Sequence, residues 1–242
     1  MQPDVYKDDI LRIKRVYEDR KRSIPPDRYS VFNLGNLCIE QEMQRALLAL
    51  LRNQDGFSLE SSRILEIGCG SGQWLRDLIG WGAEPRNVFG IDLLPERIAK
   101  ARKLSPADIT LLCGSAHEMP FESGEFGVVM QSMLFSSVIA PEMKAKIASE
   151  MLRVLQPGGF VIWYDFYVKN PRNPDVRGIT QREMRLLFPK CRIECRRVTV
   201  APPVARLIGN YSPWLYFVLA GMKLLSTHYL ALIHKPGCCA RG

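Results

Sequence analysis

Three glycines at alternate positions, Gly68, Gly70 and Gly72, follow a short apolar run ending in an acid, Glu66, within the stretch ILEIGCGSGQWL. Glycine lets the backbone take positive φ and come close to a ligand, because no Cβ intervenes. A strand feeding such a turn, with an amphipathic helix behind it, is the nucleotide end of an open α/β sheet. A second acid, Asp92, ends the apolar run NVFGIDL twenty residues beyond Gly72, and Pro95 opens a helix after it. A carboxylate there can accept both hydroxyls of a ribose, at roughly 1.5–3 kcal/mol per charge-assisted bond. The competing role for Asp92 is a helix cap, and the spacing from the glycine turn favours the ribose.

The elements that must position these residues alternate. Helical spacing covers Asp8–Arg22 and Leu37–Arg52. Strands are expected at Arg63–Gly68, Asn87–Leu93, Ile109–Gly114, Gly127–Ser132 and Gly159–Phe166, separated by helices at about Gly72–Trp81, Pro95–Lys103 and Pro141–Leu155. Thr180 and Glu183 form a capping-box pair opening a helix through Phe188. Two further strands are expected at Arg192–Val200 and His228–Lys235. Such alternation gives a mostly parallel sheet.

The G-x-G-x-G turn behind Glu66 resembles motif I of the class I S-adenosylmethionine-dependent methyltransferases, and it departs from the G-x-G-x-x-G of nicotinamide enzymes. GSAHEMPFESGEFGVVMQS (residues 114–132) and LRVLQPGGFVIWYDF (residues 152–166) extend the likeness, with Pro157, Gly158 and Gly159 turning into the fifth strand. The resemblance implies a Rossmann-like seven-stranded sheet in the order 3-2-1-4-5-7-6, the last strand antiparallel, with helices on both faces. It implies a division into an N-terminal helical lid, residues 1–55, and a methyltransferase domain, residues 56–242. It also implies S-adenosyl-L-methionine as cofactor, with Glu66, Gly68, Gly70 and Gly72 along its methionine and ribose portion and Cys69 in the turn chosen for size. Asp92 would hold the ribose and Leu93 the adenine face. Ser115 and Ala116 fall beside the adenine edge, where serine replaces the family's frequent acid, and Gln131 and Ser132 fall near the methyl group.

A sulfonium already activates its methyl group, so positioning supplies much of the acceleration, on the order of 7 kcal/mol in well-aligned cases. An alcohol acceptor also needs its proton removed. Asp165, at the end of the fifth strand, is the first candidate base, because strand ends face the ligand crevice. A cap or salt-bridge role is its equal competitor. His228 and Tyr29 are the next candidates, and His117 is set nearer the cofactor or the surface. The irregular segment from Ser23 to Asn36 is expected to close over the cofactor through Tyr29 and Phe32. Phe32, Asn33, Asn36, Asn170 and Arg172 are the substrate-contact candidates. The fourth strand is followed by Gln-Ser-Met-Leu, without the Pro-Pro-aromatic motif of adenine and cytosine amino-methylating enzymes or the Pro-Cys pair of cytosine C5 methylation.

Composition bounds the partners. The net charge of +8 comes from cations spread along the chain and not interleaved with aromatics, so a nucleic-acid partner is not expected, while weak attraction to an anionic membrane surface stays open. Seven cysteines without a C-x-x-C pair point to reduced thiols, a cytoplasmic location and no zinc site. The charged N-terminal stretch fits neither a signal peptide nor a spanning helix. The apolar stretch from Pro202 to Leu225 is read first as a buried helix joining the last two strands, and second as a membrane-facing surface admitting a lipid-linked acceptor. A similarity to bacterial methyltransferases of glycan assembly leans toward O-methylation of a sugar or other small molecule. N- or C-methylation of a metabolite and a non-catalytic cofactor-binding scaffold are the alternatives.

Overall fold

The computed structural model describes residues 5–25, 27–168 and 175–237. Seven strands form one sheet in the order β3-β2-β1-β4-β5-β7-β6. They are β1 (Ile64–Ile67), β2 (Val88–Asp92), β3 (Thr110–Cys113), β4 (Phe126–Ser132), β5 (Leu155–Phe166), β6 (Arg192–Val200) and β7 (Ser226–His234). The first five pair in parallel, and β7 runs antiparallel between β5 and β6. All residues of β1 and β2 are buried, as expected of parallel strands covered on both faces.

Among the described residues eight α-helices accompany the sheet: α1 (Val5–Ser23), α2 (Leu34–Leu51), α3 (Gln73–Gly80), α4 (Pro95–Leu104), α5 (Pro141–Val154), α6 (Gln181–Leu187), α7 (Pro202–Tyr211) and α8 (Pro213–Met222). One core layer joins Trp163, Phe135 and Val161 to Ile147 and Met151 of α5 and Met184 of α6, with Ile10 and Ile13 of α1 against it. The opposite layer joins Val88, Met130 and Ile162 to Leu47 of α2, Leu75 of α3 and Ile98 of α4. The strand order reverses between β1 and β4, and this switch point at the carboxyl ends is where such sheets bind ligands.

Three local differences from the sequence reading have physical causes. β5 begins at Leu155, because Phe126 pairs with Leu155 and Val128 with Phe160, so the Pro157–Gly159 turn is a bulge inside the strand. α2 starts at Leu34, capped by Asn33 Oδ1, which accepts from Gly35 N at 3.0 Å. The stretch from Pro202 to Leu225 is not a buried helix. Ser212 splits it by capping α8, and among α7 and α8 only Ala205, Gly209 and Tyr216 are buried. The capping box behaves as expected, with Thr180 Oγ1 accepting from Glu183 N at 3.2 Å.

Candidate functional site

The end of β1 and the end of β2 are tied together. Gly68 N and Cys69 N donate to Ile91 O at 2.7 and 3.1 Å. Asp92 Oδ2 accepts from Gly70 N at 2.8 Å, and its Oδ1 accepts from Leu94 N at 2.9 Å. Gly68 holds φ +68°, and a Cβ on it would stand 2.6 Å from Leu134 Cδ1. An L side chain there would be strained by this φ and would have to displace the Leu134 side chain. Arg97 approaches Asp92 Oδ2 at 4.0 Å and lies over the Tyr17 ring of α1 at 4.1 Å. The helix at the N-terminus is thereby coupled to the β2 carboxylate.

A cavity of about 190 Å³ opens beside this junction, with Gly68, Asp92, Leu93, Ser115, Ala116 and Ser132 on its walls. Ile13 and Tyr17 of α1 line it too. Glu66, Cys69, Gly70, Gly72 and Gln131 do not line it. Glu66 is buried behind the turn with Oε2 unpartnered. Its carboxyl sits well above the usual range because burial, then the charges of Asp92 and Asp77, disfavour ionisation, against a smaller opposing effect of Arg76. A glycine at the cavity wall that a Cβ would crowd and a carboxylate at the end of β2 fit a nucleoside carrying a donor group. Cys69 is packed in the core, and burial pushes its thiol up, so it serves as filler. Gln131 braces the strand ends, accepting from Leu134 N at 3.1 Å and donating to Tyr164 O at 3.4 Å. Ser115 Oγ is 2.5 Å from His117 Nδ1, and His117 stacks on Tyr6 of α1.

A second cavity of about 740 Å³ adjoins the first, and Tyr17, Met133 and Ser137 line both. Met133 holds φ +60°, and its N donates to Tyr164 O at 2.9 Å. A non-glycine residue in this region costs of order 1–3 kcal/mol and concentrates at functional sites. Tyr164, Phe166 and His228 supply an aromatic wall, with His228 parallel to Tyr164 at 4.8 Å and 4.0 Å from Phe166. Thr227 Oγ1 gives its proton to Thr199 O at 3.3 Å, so it accepts from His228 Nδ1–H at 2.9 Å. The Nε2 of His228 then keeps a lone pair. Burial pulls this imidazole down to about 3 and keeps it neutral.

Asp165, the first candidate base, lines neither cavity. Strand alternation turns it away from the cavity that Tyr164 and Phe166 line, and it is fully buried. Its Oδ2 accepts from Ser136 N at 3.0 Å and its Oδ1 from Phe166 N at 2.9 Å. Burial raises it to about 6 against those bonds. It braces the loop after β4.

Phe32 is 95% exposed and lines neither cavity. Tyr29, 63% exposed, lines the larger cavity under Arg206, which lies 5.6 Å from its ring. Asn33 is a helix cap. Asn36 lines the larger cavity and donates to Arg28 O and Ser30 O at 2.9 Å, while accepting from Arg206 Nε at 2.9 Å. Asn170 and Arg172 lie outside the described residues. The element over the smaller cavity is α1, anchored by Arg12 Nη2 donating to Ser137 O at 2.5 Å and by Asp9 Oδ2 accepting from Ala140 N at 3.4 Å. Tyr17, Met133, Tyr164 and Arg206 were not singled out from sequence. The Ile13–Tyr17 spacing on one helical face was the available signal for Tyr17.

Comparison with known proteins agrees with this geometry. Residues 64–159 match the family described as Methyltransferase domain. The chain is 34% identical over 130 residues to 2-methyl-6-phytyl-1,4-hydroquinone methyltransferase of Synechocystis, covering 52% of this chain and 38% of that protein. It is 32% identical over 152 residues to demethylmenaquinone methyltransferase of Lactococcus lactis, covering 61% of this chain and 59% of that one. The chain thus spans less than two thirds of these relatives. In fold it is similar to an S-adenosylmethionine-dependent methyltransferase from Mesorhizobium loti, with TM-score 0.58 and 19% identity over 79% of this chain and 96% of that one.

Proposed function

We propose that the chain is a class I S-adenosylmethionine-dependent methyltransferase and that it methylates a small acceptor of phenol or quinol type held in the larger cavity. The observation that carries this reading is the junction: Tyr17, Met133 and Ser137 line both cavities, so a donor in one meets an acceptor in the other. S-adenosyl-L-methionine, when bound, supplies a methyl group activated by its sulfonium. The chain's own work is to align the partners and exclude water.

On the donor side, the Asp92 oxygens each keep a lone pair beyond their bonds to Gly70 N and Leu94 N, enough to accept ribose hydroxyls. Leu93, Ser115 and Ala116 supply the adenine wall. α1 acts as the lid, with Tyr17 above the transfer point.

On the acceptor side, an aromatic ring fits between the Tyr164, Phe166 and His228 faces. Neutral His228 orients the acceptor hydroxyl through Nε2, accepting its hydrogen bond as the oxygen or the adjacent ring carbon becomes nucleophilic. The aromatic wall and the names of the two relatives favour a quinol ring over the sugar hydroxyl expected from sequence. Incubation with methyl-labelled cofactor tests this, using a demethylated hydroquinone with a short isoprenoid tail beside a panel of nucleotide sugars. Label on the hydroquinone is expected. Label confined to sugars would overturn the acceptor class, and cofactor binding without transfer to any acceptor would favour a scaffold.

A further inference from the structure

We infer that α7, α8 and the turn before α2 form a seat for an anionic lipid bilayer at the rim of the larger cavity. α8 (PWLYFVLAGM) is apolar around its whole circumference yet buries one side chain, Tyr216. Helices of that composition belong in a core or against lipid. Here Trp214 is 74% exposed, and Leu207, Tyr211, Met222 and Leu224 are each more than half exposed. The patch continues across α2. Gly35 and Gly209 bring the two helix backbones into contact, and Leu34 N donates to Asn210 Oδ1 at 3.1 Å, which sets exposed Val31 and Phe32 beside α7. Exposed apolar side chains gathered on packed neighbouring helices mark an interaction site.

Charge selects the partner. No Asp or Glu lies between Pro202 and Leu225, whereas Arg206 and Lys223 do, and Arg28 stands on the cavity wall beside Arg206. Asp27 is next to Arg28 in sequence, and Asp19, Glu40 and Asp175 lie on the cavity wall, off α7 and α8. A second copy docked face to face would bring the same cations together. An anionic bilayer offers phosphates to them, and Trp and Tyr suit the interface between headgroups and acyl chains. Among the described residues no helix is long and apolar enough to cross a membrane, so the contact is interfacial and reversible. Arg28, Tyr29 and Pro203 are exposed and also line the larger cavity, so an acceptor with a hydrocarbon tail could leave its tail in the lipid while its head enters. That last step rests on the proposed acceptor chemistry; the docking does not.

Flotation of the full chain with vesicles, without acceptor, separates the two. The parent should float with phosphatidylcholine–phosphatidylglycerol vesicles, less at high salt, and not with phosphatidylcholine alone. Leu207→Glu with Trp214→Glu should weaken flotation by about tenfold or more, with unchanged affinity for S-adenosylhomocysteine and an unchanged melting temperature. Should that pair fail to fold, Met222→Ser with Leu224→Ser, at and beyond the end of α8, should show the same loss. Absence of flotation by the parent, flotation by the folded variants equal to the parent, or a stable solution dimer dissociated by those variants would each overturn the bilayer seat.

Discussion

Asp92 Oδ2 accepts a 2.8 Å hydrogen bond from Gly70 N, so the carboxylate that ends β2 also closes the glycine turn that follows β1. One side chain therefore shapes the donor cavity and lines it. Asp92→Ala removes both the ribose acceptor and the bond that fixes the turn. Binding of S-adenosylhomocysteine, measured by calorimetry, should weaken by about tenfold at least, equivalent to about 1.4 kcal/mol. Asp92→Asn retains one acceptor oxygen and should fall between. Unchanged affinity in the alanine variant would remove Asp92 from the site.

His228 gives a prediction with a pH sign. Its folded value is lowered to about 3 from 6.5 by burial. The stability tied to its neutral form is fully present above 6.5 and is lost as pH falls toward 3, by at most about 1.4 kcal/mol per unit. His228→Gln cannot protonate, so its melting temperature relative to the parent should improve steadily as pH drops from 7 to 4. At pH 7.5 the same variant should keep its cofactor affinity and lose turnover by roughly 10². Full turnover would leave the imidazole as packing for Tyr164 alone.

Much of this was legible in the sequence, for reasons that differ by residue. Glu66 and Asp92 sit on the short buried strands β1 and β2, with the glycines in the turn after β1, so this junction could be placed from spacing, while the strand order followed from the family resemblance. The acceptor end could not. β5 is buried on both faces from Val161 to Asp165, and its apolar run does not reveal which face opens into a cavity. Asp165 was favoured for its place at the strand end, while its neighbours Tyr164 and Phe166 hold the wall. Tyr29 and Phe32 were grouped because both are aromatic and lie outside regular elements. The turns Ser30 N to Asp27 O and Asn33 N to Ser30 O send one to the cavity and the other to solvent. The apolar stretch after β6 reads as core by composition, but β7 closes the sheet without needing it.

Asp165 should behave as a brace. Its carboxyl, raised to about 6 from 3.8 by burial, contributes most stability below 3.8 and loses that contribution as pH rises through 6. Asp165→Ala leaves Ser136 N–H and Phe166 N–H without their acceptor, at about 1–3 kcal/mol for each buried donor. The parent's advantage in chemical denaturation over Asp165→Asn should shrink between pH 4 and 7. Turnover by folded Asp165→Asn should stay within about tenfold of the parent, against the 10²–10⁴ loss of a true base. A loss of the larger size with intact folding would restore the catalytic role.

The lid prediction contrasts two aromatics. Tyr17 lines both cavities and stacks on Arg97, which in turn faces Asp92, so it can sense the donor and cover the transfer point. Phe32 touches neither cavity. Tyr17→Ala should weaken S-adenosylhomocysteine binding by roughly tenfold and raise water access during transfer, seen as a drop in kcat larger than the change in KM. Phe32→Ala should change neither. Hydrogen exchange should show α1 amides from about Arg12 to Arg20 gaining protection when S-adenosylhomocysteine binds, while the turn around Phe32 exchanges alike in both states. Protection at Phe32 without any change in α1 would return the lid to the segment between the first two helices and leave α1 a fixed part of the fold.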